Sequence, residues 1–211
     1  MAGLEMSTSF EPLLDQFLRT GAPLHVAADG LMSFVDGEAR PVAKVLLPGS
    51  FQPIHRGHWA LAHLAEQLVG QPAAFELSVV NVDKPMLTPD EIRRRLAQFE
   101  GRAPVWLTRA PQFIAKAAHF PGAIFVVGAD TALRIVSPRY YENDEAAMLM
   151  ALERIRSFGS RFLVACRADE RGQCWTCADL PIPPAFRALF EEIPPERFRV
   201  DLSSTELRSM D

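Results

Sequence analysis

The sequence predicts an α/β fold, a doubly wound parallel sheet with helices on both faces. Three observations carry that expectation. Short, apolar, β-rich runs recur along the chain, helical periodicities separate them, and the runs lack the polar alternation of strands with one wet face. Taken in order, Phe10, Leu13, Leu14 and Phe17 predict a short amphipathic helix, Gly21 its stop, and Asp29-Gly30 a tight turn between two weak strands. This opening stretch, 1–40, does not share the later rhythm and reads as an N-terminal appendage packed on a main domain of 41–211. Strands are then expected at 42–47, 75–80, 105–108, 124–127 and 162–165. Between the first two, Leu61, Leu64 and Leu68 recur at helical spacing. Between the second and third, Thr88 precedes Pro89 at a first helical position, and Ile92, Leu96 and Phe99 line one face. A further helix is expected over 144–158, with Met148, Leu149, Leu152 and Ile155 on its core face. Alternation of strand and helix makes the arrangement Rossmann-like.

Composition excludes several functions. In 211 residues, 48% are apolar and 23% charged, ordinary values for a chain that buries one sizeable core. A net charge of -4 supplies no basic field for a nucleic-acid backbone, so no nucleic-acid partner is expected. The first residues lack the pattern of a signal peptide and no run approaches the roughly 20 apolar residues of a membrane span, so the expected location is cytoplasmic, with no membrane partner. Cys166, Cys174 and Cys177 are too few for a disulfide framework and read as reduced thiols around a hairpin turning at 169–172. The Cys174/Cys177 pair finds no second ligand pair, so no protein metal site is assigned.

The chemistry concentrates in three stretches. The strand ending at Leu47 runs into Pro48-Gly49-Ser50-Phe51-Gln52-Pro53-Ile54-His55-Arg56-Gly57-His58, with a helix beginning near His58. Backbone N–H groups at such a strand-to-helix turn, with the positive end of the helix, suit phosphate oxygens. Gly49 permits close backbone approach, and Gly57 lets the chain turn between two imidazoles that converge on one anion. A His pair three apart is ordinarily decoration of a surface or core; its place directly after a buried strand argues otherwise. Near the C-terminus, Ser203-Ser204-Thr205-Glu206-Leu207-Arg208 is by itself a helix-capping sequence, with Arg208 one turn beyond the serines. Gly128-Ala129-Asp130 follows the strand at 124–127. Its carboxylate either caps a helix or meets a ribose at the crevice where such sheets bind ligands. Lys84, in Asn81-Val82-Asp83-Lys84-Pro85, would face the same crevice. Arg93, Arg94 and Arg95 sit at successive angles on one helix and read as a solvated face. Trp106, Phe113 and Tyr140 read as apolar packing, and His25, His63 and His119 match no motif.

The Gly-Ser-Phe-x-Pro turn followed by His55-x-Gly57-His58 resembles the signature of the HxGH nucleotidylyltransferase superfamily. Ser203 to Arg208 resembles its Ser-Ser-Thr-x-x-Arg motif, and Gly128-x-Asp130 resembles the strand end of the nicotinamide and nicotinate mononucleotide adenylyltransferases, most of all the divergent forms fused to CinA-like domains. The resemblance implies transfer of AMP from ATP to a small phosphorylated acceptor with release of pyrophosphate. His55, His58 and Arg208 would be catalytic. Gly49, Ser50, Phe51, Gly57, Gly128, Asp130, Ser203, Ser204 and Thr205 would bind the nucleotide, and Lys84 the acceptor. Mg²⁺ would accompany ATP, held by phosphate oxygens and water. Homo-oligomerisation stays open. Alternatives are a phosphopantetheine or cytidylyl acceptor with the same chemistry, or a nucleotide-binding regulatory module without turnover.

Overall fold

A computed structural model describes residues 10–35, 43–80, 85–168, 174–194 and 196–198. Helix α1 (Phe10–Thr20) buries Phe10, Leu14 and Phe17 along one face. It stops at Gly21, whose positive φ of 73° lets its N–H reach back to the Phe17 carbonyl at 2.8 Å. Strands β1 (Leu24–Val26) and β2 (Met32–Phe34) form the hairpin about Asp29-Gly30, where the Asp29 carboxylate accepts from the Leu31 N–H at 3.0 Å. This hairpin joins the principal sheet: β1 runs antiparallel to the strand at 105–108, with Leu24 opposite Leu107.

The remaining elements alternate as the periodicities require. They are β3 (Val45–Pro48), α2 (Arg56–Val69), β4 (Ala73–Ser78), α3 (Pro89–Leu96), β5 (Val105–Thr108), α4 (Phe113–His119), β6 (Ile124–Gly128), α5 (Ala129–Ile135), α6 (Glu145–Ser157) and β7 (Arg161–Ala165). A small hairpin of β8 (Arg167–Ala168) and β9 (Cys174–Trp175) precedes β10 (Phe190–Glu192). Local chemistry sets the helix boundaries. Thr88 caps α3 through a reciprocal bond with Glu91, Asp144 caps α6 by accepting from the Ala147 N–H, and Gly70 ends α2 in the left-handed region. Met148, Leu152 and Ile155 are buried as predicted, whereas Leu149 is only partly so.

Among the described residues the principal sheet has eight strands in the order β10-β7-β6-β3-β4-β5-β1-β2. From β10 to β5 neighbouring strands are parallel. Helices α1, α2 and α3 cover one face over a core of Phe17, Phe51, Phe75 and Phe99; α4, α5 and α6 cover the other over Phe120, Phe125 and Phe162. This is the doubly wound α/β architecture. From β3 the chain winds outward through β4 and β5, then crosses back to lay β6 on the other side of β3, so the order reverses between β3 and β6. Their ladder has only two pairs, Val45 with Ile124 and Leu46 with Phe125, after which Leu47-Pro48 stays with β4 and Val126 to Gly128 stays with β7. The two strands therefore part at their C-terminal ends, and that switch point is where sheets of this kind form their binding crevice.

Two expectations fail here. Cys166 is disulfide-bonded, while Cys177 is a free thiol. The β8–β9 hairpin folds the chain back beside β7's end, a proximity invisible to counting, so the cysteines no longer argue for a reducing compartment. The arginine triplet is not a uniformly solvated face. Arg93 pairs with Glu11 and Asp90 and Arg94 is exposed, but Arg95 is buried at 5% exposure, because α3 turns that flank onto the loop after β3. Among the described residues no helix is long and apolar enough to cross a membrane.

Candidate active site

The chain leaves β3 at Pro48 and enters α2 at Arg56, so the predicted phosphate turn, 49–55, lies at the mouth of the crevice. Gly49 donates its N–H to the Glu76 carbonyl of β4 at 3.0 Å, which fixes where the turn departs. The Phe51 ring then folds back under it: a Cβ on Gly49 would come within 2.6 Å of that ring. Glycine is thus needed at 49 for packing, whatever approaches from above. Phe51 itself is 1% exposed and its ring meets Phe75, Phe99 and His58 edge-on. Its side chain belongs to the core, so any contact with a nucleotide falls to its backbone, which adopts a positive φ of 47°. Ser50 is exposed, and Gly57 is buried in the first turn of α2.

The two motif histidines bond to the helix start reciprocally. His55 is the N-cap, and its Nδ1 accepts from the Gly57 N–H at 3.2 Å. His58 occupies the third helical position, and its Nδ1 accepts from the His55 N–H at 3.2 Å. A backbone N–H can only donate, so both Nδ1 atoms are unprotonated and each neutral ring carries its proton on Nε2, on the opposite edge. The rings lie 3.8 Å apart between centroids at 35°. Burial holds both imidazoles below their ordinary pKa; His58 falls to about 4, through burial first and the neighbouring His55 second. At neutral pH the motif therefore presents a matched pair of uncharged N–H donors.

Across the crevice, Gly128 ends β6 and caps α5, and Asp130 stands at the second position of that helix. Of the two roles open to Asp130, the cap position belongs to Gly128 instead. The Asp130 carboxylate bends back over Gly128, where an added Cβ would lie 2.7 Å from Oδ1, so glycine at 128 makes room for Asp130. Gly49, His55 and His58 thus follow the end of β3, and Gly128 and Asp130 the end of its neighbour β6, on either side of the switch point. Lys84, Ser203, Ser204, Thr205 and Arg208 lie outside the described residues. Phe198, in the last described stretch, is buried in the same core as Phe51.

This match between motif and switch point has a counterpart in the family comparison: residues 46–210 match the cytidylyltransferase-like family. The chain belongs to that family. It is a member of the HxGH nucleotidyltransferase superfamily, and nucleotidyl transfer is its general chemistry. No curated protein matches it.

Sequence reasoning missed two residues of the site, Arg95 on α3 and Gln98 in the turn after it. Arg95 Nη1 donates to the Ser50 carbonyl and Nη2 to Gln52 Oε1, both at 2.8 Å. Gln98 Nε2 donates to the Phe51 carbonyl at 3.0 Å, and its Oε1 accepts from the Ile54 N–H at 2.9 Å. Nothing in the triplet Arg93-Arg94-Arg95 distinguishes the third; its phase relative to buried Ile92 and Leu96 is the one available signal. A separate cavity of about 600 Å³, lined by His25, Phe34, Lys44, Gln71 and Trp106, lies beside the first residues of β4 and β5. That is the opposite end of the sheet from the histidines, and the chemistry is assigned to the crevice.

Proposed function

We propose that this protein transfers AMP from ATP to a small phosphorylated acceptor, nicotinamide or nicotinate mononucleotide, with release of pyrophosphate. The single observation that carries the reading is the parting of β3 and β6 with the paired histidines after one strand and Asp130 after the other. An acceptor phosphate oxygen attacks the α-phosphorus of ATP, the bond from that phosphorus to the bridging oxygen breaks, and pyrophosphate departs with the electron pair. No covalent enzyme intermediate is required, so positioning and charge stabilisation carry the catalysis. The Nε2–H groups of His55 and His58 donate to phosphate oxygens as negative charge shifts toward the leaving group. The Asp130 carboxylate suits ribose hydroxyls of the acceptor. Arg208, with Ser203, Ser204 and Thr205, would hold the triphosphate from the other side, and Lys84 the acceptor phosphate. Mg²⁺ arrives as part of the nucleotide substrate, bound through phosphate oxygens and water. The expected working compartment is the cytoplasm.

The test is pyrophosphate release from ATP and from CTP against nicotinamide mononucleotide, nicotinate mononucleotide, phosphopantetheine and a cytidylyl acceptor. ATP with one of the two mononucleotides should give the highest kcat/KM. His58→Ala should lower that value by ~10²-fold or more, the usual cost of one lost transition-state donor, while the circular-dichroism spectrum stays native. Preference for CTP or for another acceptor would reassign the substrates, and nucleotide binding without any release of pyrophosphate would make the protein a binding module.

A further inference from the structure

The turn joining β3 to α2 is held chiefly from outside itself. Its Ser50 and Phe51 carbonyls and its Ile54 N–H all bond to side chains of Arg95, in the last turn of α3, and Gln98, in the turn that follows it. The Arg95 side chain is 7% exposed, its Nε has no hydrogen-bond partner among the described residues, and its ion pair with Glu91 is long, at 3.8 Å. A guanidinium so placed is a poor stabiliser by itself, since burial of a charge without a bonded counter-ion costs desolvation.

What the clamp does to the peptide groups is the telling point. In a trans peptide the carbonyl and the following N–H point in opposite directions. With the Ser50 and Phe51 carbonyls drawn toward α3, the N–H groups of Phe51 and Gln52 face away from it, and neither has an acceptor among the described residues. A positive φ at Phe51 belongs to the backbone concavities in which successive N–H groups converge on an anion. Donation into each carbonyl from the α3 side also polarises the same peptide and strengthens its N–H as a donor.

We propose that Arg95 and Gln98 are positioning residues for the polyphosphate: they aim the Phe51 and Gln52 amides at it, hold His55 and His58 through the same turn, and set the Arg95 charge beneath it. The inference rests on the nucleotidyl-transfer reading for its ligand, and it assigns to α3 a role in binding that contact with the nucleotide does not require. Uncharged imidazoles supply direction but no net charge, and Arg95 supplies the missing sign from a fixed position.

The test uses the full chain with Arg95→Met, Arg95→Lys and Gln98→Met, and Arg94→Met as a control on the exposed flank of the same helix. Tripolyphosphate and Mg·ATP binding are measured by calorimetry, and the Phe51 and Gln52 amides and the His55 and His58 ring nitrogens are followed by ¹⁵N NMR. Arg95→Met should weaken tripolyphosphate binding at least ~10-fold and Arg95→Lys less, as expected when a two-pronged charge-assisted contact is lost or reduced to a point charge. Gln98→Met should shift both amides and both rings, raising the KM for ATP more than that for the acceptor. If Arg95→Met fails to fold, Arg95→Lys and Gln98→Met decide the matter. Amide and ring resonances unmoved in the folded variants, or unchanged tripolyphosphate affinity, would overturn the proposal even where the enzyme turns over. Wild-type binding of tripolyphosphate with no nucleotidyl transfer would instead defeat the functional reading and leave this one standing, and no binding of either probe would defeat both.

Discussion

His58 carries the most informative electrostatics of the site. Its imidazole sits below Phe51 and beside His55, and burial lowers its pKa from 6.5 to about 4. In the unfolded chain the ring takes up a proton near pH 6.5, whereas in the folded protein it stays neutral until about pH 4. Stability is therefore unaffected above pH 6.5 and is lost as the pH falls from 6.5 toward 4, with no further loss from this group below that. The full loss is about 3 kcal/mol by proton linkage. Urea midpoints measured across this window should fall for the wild type and fall less steeply for His58→Gln; parallel curves would show that His58 does not contribute. Activity should instead hold until about pH 4, where the folded protein's His58 takes up its proton and disturbs the reciprocal bonds that keep both Nδ1 atoms as acceptors.

At the scale of elements, the site depends on the junction of β3, α2 and α3. Gly49 and Phe51 are coupled by contact: the ring occupies the space a side chain at 49 would need, and it is itself wedged among Phe75, Phe99 and His58. Gly49→Ala should therefore destabilise the fold by about 2 kcal/mol, the usual cost of overpacking a filled site. It should also lower kcat, because the displaced ring supports His58. Thermal melts and steady-state kinetics on the same preparation check this; a variant with wild-type turnover would show that the ring does not place the histidine. Much of this element-level design was legible beforehand. Thr88, Pro89 and Gly21 marked their boundaries because capping and positive φ are local properties. The bonds from Arg95 and Gln98 were not legible, because they span more than forty residues of sequence and no periodicity reports which loop a helix flank will touch.

Across the whole molecule, the two helical layers are tied to the sheet by different means. On the α4 side the sheet buries a charged pair: Glu76 of β4 is 0% exposed and accepts from Lys116 Nζ at 2.7 and 2.8 Å, with the Thr108 hydroxyl donating to the same carboxylate. Glu76 also accepts the Gly49 N–H through its carbonyl, so the pair braces the strand that anchors the phosphate turn. Lys116→Met leaves the carboxylate buried without its cation and should cost about 3–5 kcal/mol, whereas adding Glu76→Leu should recover most of that loss. A double-mutant cycle in urea reads the coupling; additive losses would mean the two side chains do not act as a pair.

Sequence by itself determined the five parallel strands β3 to β7, the boundaries at Thr88 and Gly21, and the motif at 49–58, because each follows from local propensity or from burial at a fixed period; β10 and α4 carried no such signal. It could not determine that the 1–40 stretch completes the sheet edge through β1 and β5, that Cys166 is oxidised, or that Arg95 is buried. Those outcomes depend on which distant segments the packing brings together. The candidate site belongs to the same class: the motif named the residues, but only the pairing of β3 with β6 decided that His55, His58 and Asp130 follow neighbouring strands, since strand order is a property of the assembled sheet.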